Sequence, residues 1–440
     1  MSTHVPTTAT RHAPIESQTL RRVALAGSLG LFVEFYDYGV YGFLAPTIAT
    51  VFFPTAGSTA ALLMTYGIFA LTFFFRPLGG VVLGALADRV GRRNVLVIAL
   101  TLMTGATALI GLLPGYATIG IAAPILLLCL RILQGFSAGG EVASAMSFVG
   151  EHAPTRRRGF LMSWSQVGSF SALLAGTLLS FALNQTLGSS ALESWGWRIP
   201  FLVAAPLGII GYYIRARLHD TPSFERLRDS RALAANPLKE AFASRRALRN
   251  MVLAVSVPLL NSSGYYILFA YMPTYLSHEL TFSPAQGLTV TAISLLIMVI
   301  SIPLAARISD RAGRRPVLLA SAVGIAFLAW PCFWLMTRGS VLAAVSGAFV
   351  MALLFSGHAG VIHAFLVELF PTRIRNTAYS IGYNVSTAVF GGAAPLVMTA
   401  LIGRTGSPAI PAYYVVITAV GTALAVLKAS ETAHTSLSDA

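Results

Sequence analysis

Charge is what this sequence has least of. Only 10% of its 440 residues are Asp, Glu, Lys or Arg, against about 25% in soluble domains, which excludes an ordinary water-facing globule. Cysteine is nearly absent too: Cys129 and Cys332 both sit inside apolar runs and offer neither a disulfide framework nor metal-ligand spacing. Acid is scarcer than base, 16 residues against 30, for a net charge of +14. That surplus is spread over short breaks between apolar runs, so no nucleic-acid partner is expected. No Ser/His/Asp set, HExxH helix or phosphate loop stands in a suitable setting, so neither an enzyme nor a cofactor or metal is expected. The polar, Ser/Thr-rich leader, residues 1–22, runs into a full-length apolar segment and does not resemble a cleavable signal peptide.

Apolar sequence is what remains: 55% of the chain, with mean hydropathy +0.72. Long runs at about 23–53, 59–87, 95–113, 120–150, 160–184, 198–218, 251–277, 286–306, 316–337, 341–369, 377–403 and 412–428 predict an all-α membrane protein of about twelve transmembrane helices. Pro46, Pro77 and Pro124 are the expected kinks. With the N-terminus inside, 25 of the 30 Lys and Arg fall in the inner breaks and only Arg198, Arg338 and Arg404 in the outer ones, while Arg76 and Arg131 lie within the membrane. That asymmetry puts both termini in the cytoplasm. The longest break, 219–250, is polar and mixed in charge with a helix-like ending after Pro237, and separates six-helix halves at 23–218 and 251–428, followed by a tail, 429–440.

The halves repeat. GALADRVGRR (Gly84 to Arg93) returns as ARISDRAGRR (Ala306 to Arg315), and EHAPTRRRG (Glu151 to Gly159) as ELFPTRIRN (Glu368 to Asn376), in the same order and on the same side. A parallel repeat of this kind suggests a transporter with its site between the halves near the bilayer midplane. The carboxylates of Asp88 and Asp310 follow a helix end and are placed to cap a neighbouring helix. Arg92 with Glu151, and Arg314 with Glu368, put opposite charges on one rim, beside Arg89. Paired, they form a cytoplasmic gate that inward opening breaks; the alternative is ordinary surface pairing, worth about 0–1 kcal/mol.

Two acids interrupt the first run, in EFYDYGVYGF. Glu34 lies roughly 18 Å along a helix from Arg22, near the middle of a core about 30 Å thick. Each acid costs about 2.5–3.5 kcal/mol there, which makes Glu34 and Asp37 functional candidates. With Tyr41 they share one helical face at i, i+3 and i+7. Burial favours the protonated form, so either suits proton coupling, the deeper Asp37 more; the alternative is a structural carboxylate bonded to a tyrosine or paired with Arg76. Arg131, Gln134 and Glu141 line a second face, with Gly135, Gly139 and Gly140 permitting close helix approach. Arg131 suits a substrate carboxylate, or else a permanent ion pair with Glu141 or a first-helix acid, whereas Arg76, before Pro77, reads as structural. Asn261 and Tyr265 stand one turn apart in the seventh run, suited to a substrate's polar end. His358 and His363, five residues apart, do not share a face and are not a metal pair.

The duplicated G-x-x-x-D-R-x-G-R-R signature resembles that of the major facilitator superfamily, with Ala306 departing from the glycine at Gly84. VEFYDYGVYGFLAPTIATVFFP, FRPLGG, PGYATIGIAAPILLL, LQGFSAGGE, RRGF, WGWRIPF and FGG at Phe390 to Gly392 resemble its metabolite:proton symporter branch over nearly the whole chain. PLGIIGYYIRARLHDTPSF, YMPTYLSHEL and PAYY are similar to the proline/betaine members, while Arg131 is similar to the citrate and 2-oxoglutarate carriers, since the osmolyte members have lysine there. Only twelve residues follow Lys428, so the C-terminal coiled coil of some osmosensing members is not expected. The resemblance implies a monomeric, multi-pass protein of the bacterial inner membrane. It implies proton-coupled uptake, by alternating access, of a small carboxylate-bearing metabolite, either an organic acid or a zwitterionic osmolyte. A drug/proton antiporter is the nearest rival, but LMSWSQVGSFSALLAG (Leu161 to Gly176) lacks its G-x-x-x-G-P-x-x-G-G signature. A non-transporting membrane sensor is the third class.

Overall fold

The computed structural model describes residues 17–217, 236–435 and 437. Twelve helices among them are long and apolar enough to cross a membrane: Val23–Phe43, Ser58–Val90, Arg93–Leu112, Ala122–His152, Thr155–Thr186, Leu192–Ile214, Arg245–Ala270, Pro284–Ala312, Arg314–Met336, Val341–Glu368, Arg375–Thr405 and Ile410–Lys428. They are called the first to twelfth spans below. The first, seventh and tenth are interior, with 76–78% of their apolar windows buried, while the sixth, ninth and twelfth are peripheral at 33–39%. Ile209, Phe327 and Ile417 stand out from these peripheral spans, as lipid-facing side chains do. Of the expected linker, 219–235 lies outside the described residues. Beyond it, Asn236 caps a short helix, Pro237–Ala241, and Ser244 caps the seventh span, which starts at Arg245, six residues earlier than the sequence suggested.

Proline explains two of the expected kinks. The first helix ends at Phe43 and a separate one, Ala45–Phe52, starts with Pro46 in its first turn. The second span breaks between Phe74 and Arg76, because Pro77 has no N–H for the helix and its ring clashes with the carbonyl four residues back. Pro124 makes no kink: it falls in the first turn of its helix, where the missing N–H has no intrahelical partner to lose. Sequence periodicity did not reveal the π-helical turns at Tyr266–Ala270, Tyr275–Glu279 and Thr387–Gly392, which widen the backbone at the far end of the seventh span, just beyond it and within the eleventh.

Glycine sets the closest approaches. A Cβ on Gly139 would lie 2.1 Å from the Arg76 carbonyl oxygen, so the fourth span packs backbone to backbone on the second at its break. At the rim, Gly91 and Gly313, equivalent in the repeat, turn the chain with φ of 102° and 104°, which few other residues adopt. The fifth span packs on the eighth and tenth, and the lower part of the second span packs on the eleventh, joining the first six spans to the last six.

Candidate functional site

Both first-span acids are buried, and each meets an arginine. Glu34 Oε1 accepts from Arg76 Nη2 at 3.0 Å. Asp37 Oδ2 accepts from Arg131 Nη1 at 2.8 Å, and its Oδ1 from Gln134 Nε2 at 3.0 Å. Gln134 also donates to Thr107 Oγ1 of the third span at 2.7 Å. The Tyr41 ring lies 3.8 Å from the Arg131 guanidinium carbon, and its hydroxyl donates to the Thr65 carbonyl. A desolvated guanidinium on a ring face gains about 2 kcal/mol or more, which helps to offset its burial. Two of the alternatives left open by the sequence are thus the observed contacts: Arg76 pairs with Glu34, and the first-helix acid that Arg131 meets is Asp37.

The two arginines occupy different places. Arg131 contacts Asp37 and Tyr41 of the first span and Phe201 of the sixth, all within the first six spans. Arg76, released to turn inward by the break at Pro77, reaches across to the last six. Its Nε donates to Asn384 Oδ1 of the eleventh span at 3.2 Å, and Asn384 Nδ2 donates in turn to the Gly139 carbonyl at 2.6 Å. The arginine read as structural thus contacts both the first and the last six spans, while the one suited to a substrate carboxylate makes its contacts within the first six. Arg76 Nη1 has no partner among the described residues, nor do Nε and Nη2 of Arg131.

Aromatic rings wall this boundary. The Phe73 ring centre lies 5.0 Å from that of Tyr38 and 5.0 Å from that of Phe69, both tilted, and 4.9 Å from that of Tyr266, edge to face, and the Arg76 guanidinium sits 5.4 Å from both the Tyr38 and the Phe73 rings. Tyr265 packs 5.0 Å from Phe35 and 5.1 Å from Phe170, with its hydroxyl unpartnered among the described residues. Asn261, on the next turn, donates to the Tyr383 hydroxyl at 3.3 Å. His363 bonds the Tyr379 hydroxyl. Glu141 is fully buried, ten residues beyond Arg131 on the fourth span.

At the rim the two repeats clasp each other. Asp88, closing the second span, accepts from the Thr377 N–H and hydroxyl at 3.0 and 2.7 Å, at the start of the eleventh. Asp310, its equivalent, accepts from the N–H groups of Gly159 and Phe160 at 2.9 and 2.8 Å, at the start of the fifth. Each carboxylate therefore caps a helix belonging to the other set of six. The glutamates cross over as well. Glu151 pairs with Arg375 at 2.8 Å, and Glu368 with Arg158 at 3.0 Å, all four side chains buried. Glu368 also holds Arg314 as expected, through Nε and Nη2, and Arg314 holds Asp310 at 2.8 Å. Arg89 is exposed in the last turn of its helix, where a cation suits the helix dipole. The side chain of Arg92 lies outside the described residues, as does its expected pairing with Glu151. The sequence held a sign of this exchange, since Arg158 and Arg375 close the two copies of the Glu-x-x-Pro-Thr-Arg-x-Arg motif.

Buried pairs of this kind couple more strongly than exposed ones, which contribute about 0–1 kcal/mol. A double-mutant cycle of Glu151→Gln and Arg375→Gln, read by thermal unfolding in detergent, is expected to show coupling above about 1 kcal/mol. Coupling near zero would reduce the pair to surface charge.

The family described as Major Facilitator Superfamily matches residues 27–381 and 257–439. The proline/betaine transporter of Escherichia coli (strain K12) is 36% identical over 434 residues, covering 97% of this chain and 86% of its own. The citrate-proton symporter of Klebsiella pneumoniae is 34% identical over 419 residues, covering 94% of this chain and 93% of its own. In fold, the chain superposes on the proton:xylose symporter XylE bound to 6-bromo-6-deoxy-D-glucose with a TM-score of 0.80 at 20% identity, over 96% of this chain and 98% of that one. Twelve spans, a duplicated rim motif that clasps across the repeat, and full-length relatives agree: this multi-pass membrane protein belongs to the Major Facilitator Superfamily.

Proposed function

We propose that the protein is a proton symporter that takes up a small carboxylate-bearing metabolite by alternating access. Its two six-helix halves, 23–218 and 251–428, rock about a central site, and its basic rim and both termini face the cytoplasm of a bacterial inner membrane. The observation that carries this reading is the pair of buried acid–guanidinium contacts one turn apart on the first span, Glu34 with Arg76 and Asp37 with Arg131. The full-length relatives, a proline/betaine transporter and a citrate-proton symporter, support the class of cargo.

Asp37 is the proton acceptor. It is held by Arg131 and Gln134 inside the first half; a proton on its carboxylate cancels the charge that holds Arg131 and leaves the pair with one net positive charge. The substrate role expected of Arg131 passes to Arg76, which faces the opposite half and has a free N–H for a carboxylate. Glu34 links the two, lying one turn from Asp37 and bonded to Arg76. Asn261, Tyr265 and the rings around Phe73 form the rest of the cargo's surroundings. Asp88, Asp310 and the crossed pairs are the cytoplasmic gate, which opening must break. The protein works as a monomer, with no cofactor.

Purified protein in liposomes, with acid outside, is expected to accumulate one or more of citrate, 2-oxoglutarate, shikimate, proline and betaine above the external concentration. Collapse of the gradient with an ionophore should abolish that accumulation. Uptake that only equilibrates, or that needs no proton gradient, would overturn the symport reading.

A further inference from the structure

The ninth span begins at Arg314 after Gly313, which has no side chain with which to cap it. The cap comes from the far end of the chain. Glu431 accepts from the N–H groups of Arg314 and Arg315 at 2.8 and 3.1 Å, and from those of Thr432 and Ala433 in its own turn at 3.0 and 2.9 Å. An ionised carboxylate at that helix start satisfies two orphan N–H groups and faces the positive end of the dipole. Burial pushes its carboxyl up, but the four N–H groups outweigh this and hold it below the ordinary glutamate value. The anchor is therefore present at neutral pH and fades only as pH falls through that lowered value.

From this anchor the tail crosses the gate. The Thr432 hydroxyl donates to Glu368 Oε2 at 2.8 Å. The Thr435 carbonyl accepts from Arg158 Nη1 at 3.3 Å, and the Leu437 carbonyl from Arg375 Nη2 at 3.2 Å. The tail thus bonds three of the four members of the crossed pairs. Above the anchor, Arg315 holds the carbonyls of Val426 and Leu427, and Arg249 that of Lys428, so the segment is tied to the second half before it reaches Arg158 of the first.

We infer that residues 431–435 are a third part of the gate, a strap fixed to the ninth span by Glu431 that holds the rim shut by bonding Glu368 and Arg158 from above. This rests on the alternating-access reading of the rim. When the halves part there, Arg158 leaves Glu368, and a tail fixed to the second half cannot keep its bond to Arg158. The strap therefore favours the closed rim, and its removal shifts the resting population toward the inward-open state. Glu431 and Thr432 are positioning residues for this step and touch no cargo. The duplication extends into this feature at the level of sequence. Asp220 and Thr221 stand four and five residues past Ala216, as Glu431 and Thr432 do past Leu427. Ala216 and Leu427 give the carbonyls that Arg93 and Arg315 bond; Asp220 and Thr221 themselves lie outside the described residues.

The test is thiol labelling of a cysteine placed behind the gate. Gln166, on the fifth span, is buried and bonds the Ala359 carbonyl of the tenth, so Gln166→Cys reports rim opening in a Cys129→Ser, Cys332→Ala background. Thr274→Cys, buried at the opposite end against Tyr66, serves as the control. Ending the chain after Ser430 is expected to raise the labelling rate at position 166 by at least about fivefold, the low end of ordinary coupling between sites, without raising it at 274. Glu431→Gln and Thr432→Val should give smaller rises of the same selectivity, and Glu431→Asp should return part of the loss. An unchanged rate at 166 in monodisperse truncated protein overturns the proposal, and so does an equal rise at both positions, which is general loosening. If the truncated chain does not purify, the full-length Glu431→Gln/Thr432→Val variant decides by the same two readings. Labelling requires neither cargo nor proton gradient, so failure of the symport reading in uptake assays leaves this result separately legible.

Discussion

Asp37→Asn is expected to turn an accumulating transporter into one that only equilibrates. A gradient of one pH unit stores about 1.4 kcal/mol per proton, enough for roughly tenfold accumulation of a cargo carried with one proton. An amide at position 37 keeps an oxygen for Arg131 Nη1 and an N–H that Gln134 accepts once its amide flips, but it can neither bind nor release the proton. The accumulation ratio in liposomes should fall to one, while exchange of labelled for unlabelled cargo persists, because a permanently neutral residue imitates the loaded state. Asp37→Glu, which keeps the acid, serves as the control for the loss of a partner to buried Arg131. Full gradient-driven accumulation by a folded Asp37→Asn protein would remove Asp37 from the coupling. Glu34→Gln, tested in the same way, would then be the remaining first-span candidate.

The second large effect separates the two arginines. Arg76→Gln is expected to weaken cargo binding by about two orders of magnitude, within the 2–5 kcal/mol range for truncating one member of a buried charged contact. Arg76→Lys keeps the charge but loses the planar fork that meets Glu34 and Asn384 together, so it should fall between. Arg131→Gln leaves the Arg76 contacts intact and removes the cation that pairs with Asp37, so it should change how binding responds to pH while its affinity in acid is kept. Affinity in detergent across pH, with monodispersity checked, distinguishes the two. If Arg131→Gln abolishes binding and Arg76→Gln spares it, the carboxylate belongs to Arg131 and the present assignment is reversed.

The twelve spans were legible because lipid leaves little choice: a span must be apolar for about 20 residues, and its basic flanks mark a side. The rim caps were legible in part. A carboxylate after a helix end announces a cap, and Asp88 and Asp310 are caps, but no local signal says that the helices capped begin at Arg375 and Arg158. The crossed pairs were hidden among residues that the charge asymmetry already explained, since Arg158 and Arg375 lie in runs of inner-side arginine. Which arginine reached the boundary was not legible at all. It depends on how far Pro77 turns the second span and on how closely Gly139 lets the fourth approach, both of which are tertiary. The aromatic wall escaped for a related reason: aromatic residues in a membrane helix pack against lipid or protein alike, and only assembly brings rings of the first, second, fifth and seventh spans together.

The crossed pairs also impose a timetable on synthesis. Glu151 is separated from Arg375 by 224 positions in the chain. At roughly 5–20 residues per second, the glutamate waits about 10–45 s after its own addition before its partner exists. Asp88 waits longer still for Thr377, 289 positions away. Throughout that interval these two rim acids stand without the partners that the eleventh span brings. The nascent first half must therefore keep that face wet, or shielded by the insertion machinery, until the eleventh span is delivered.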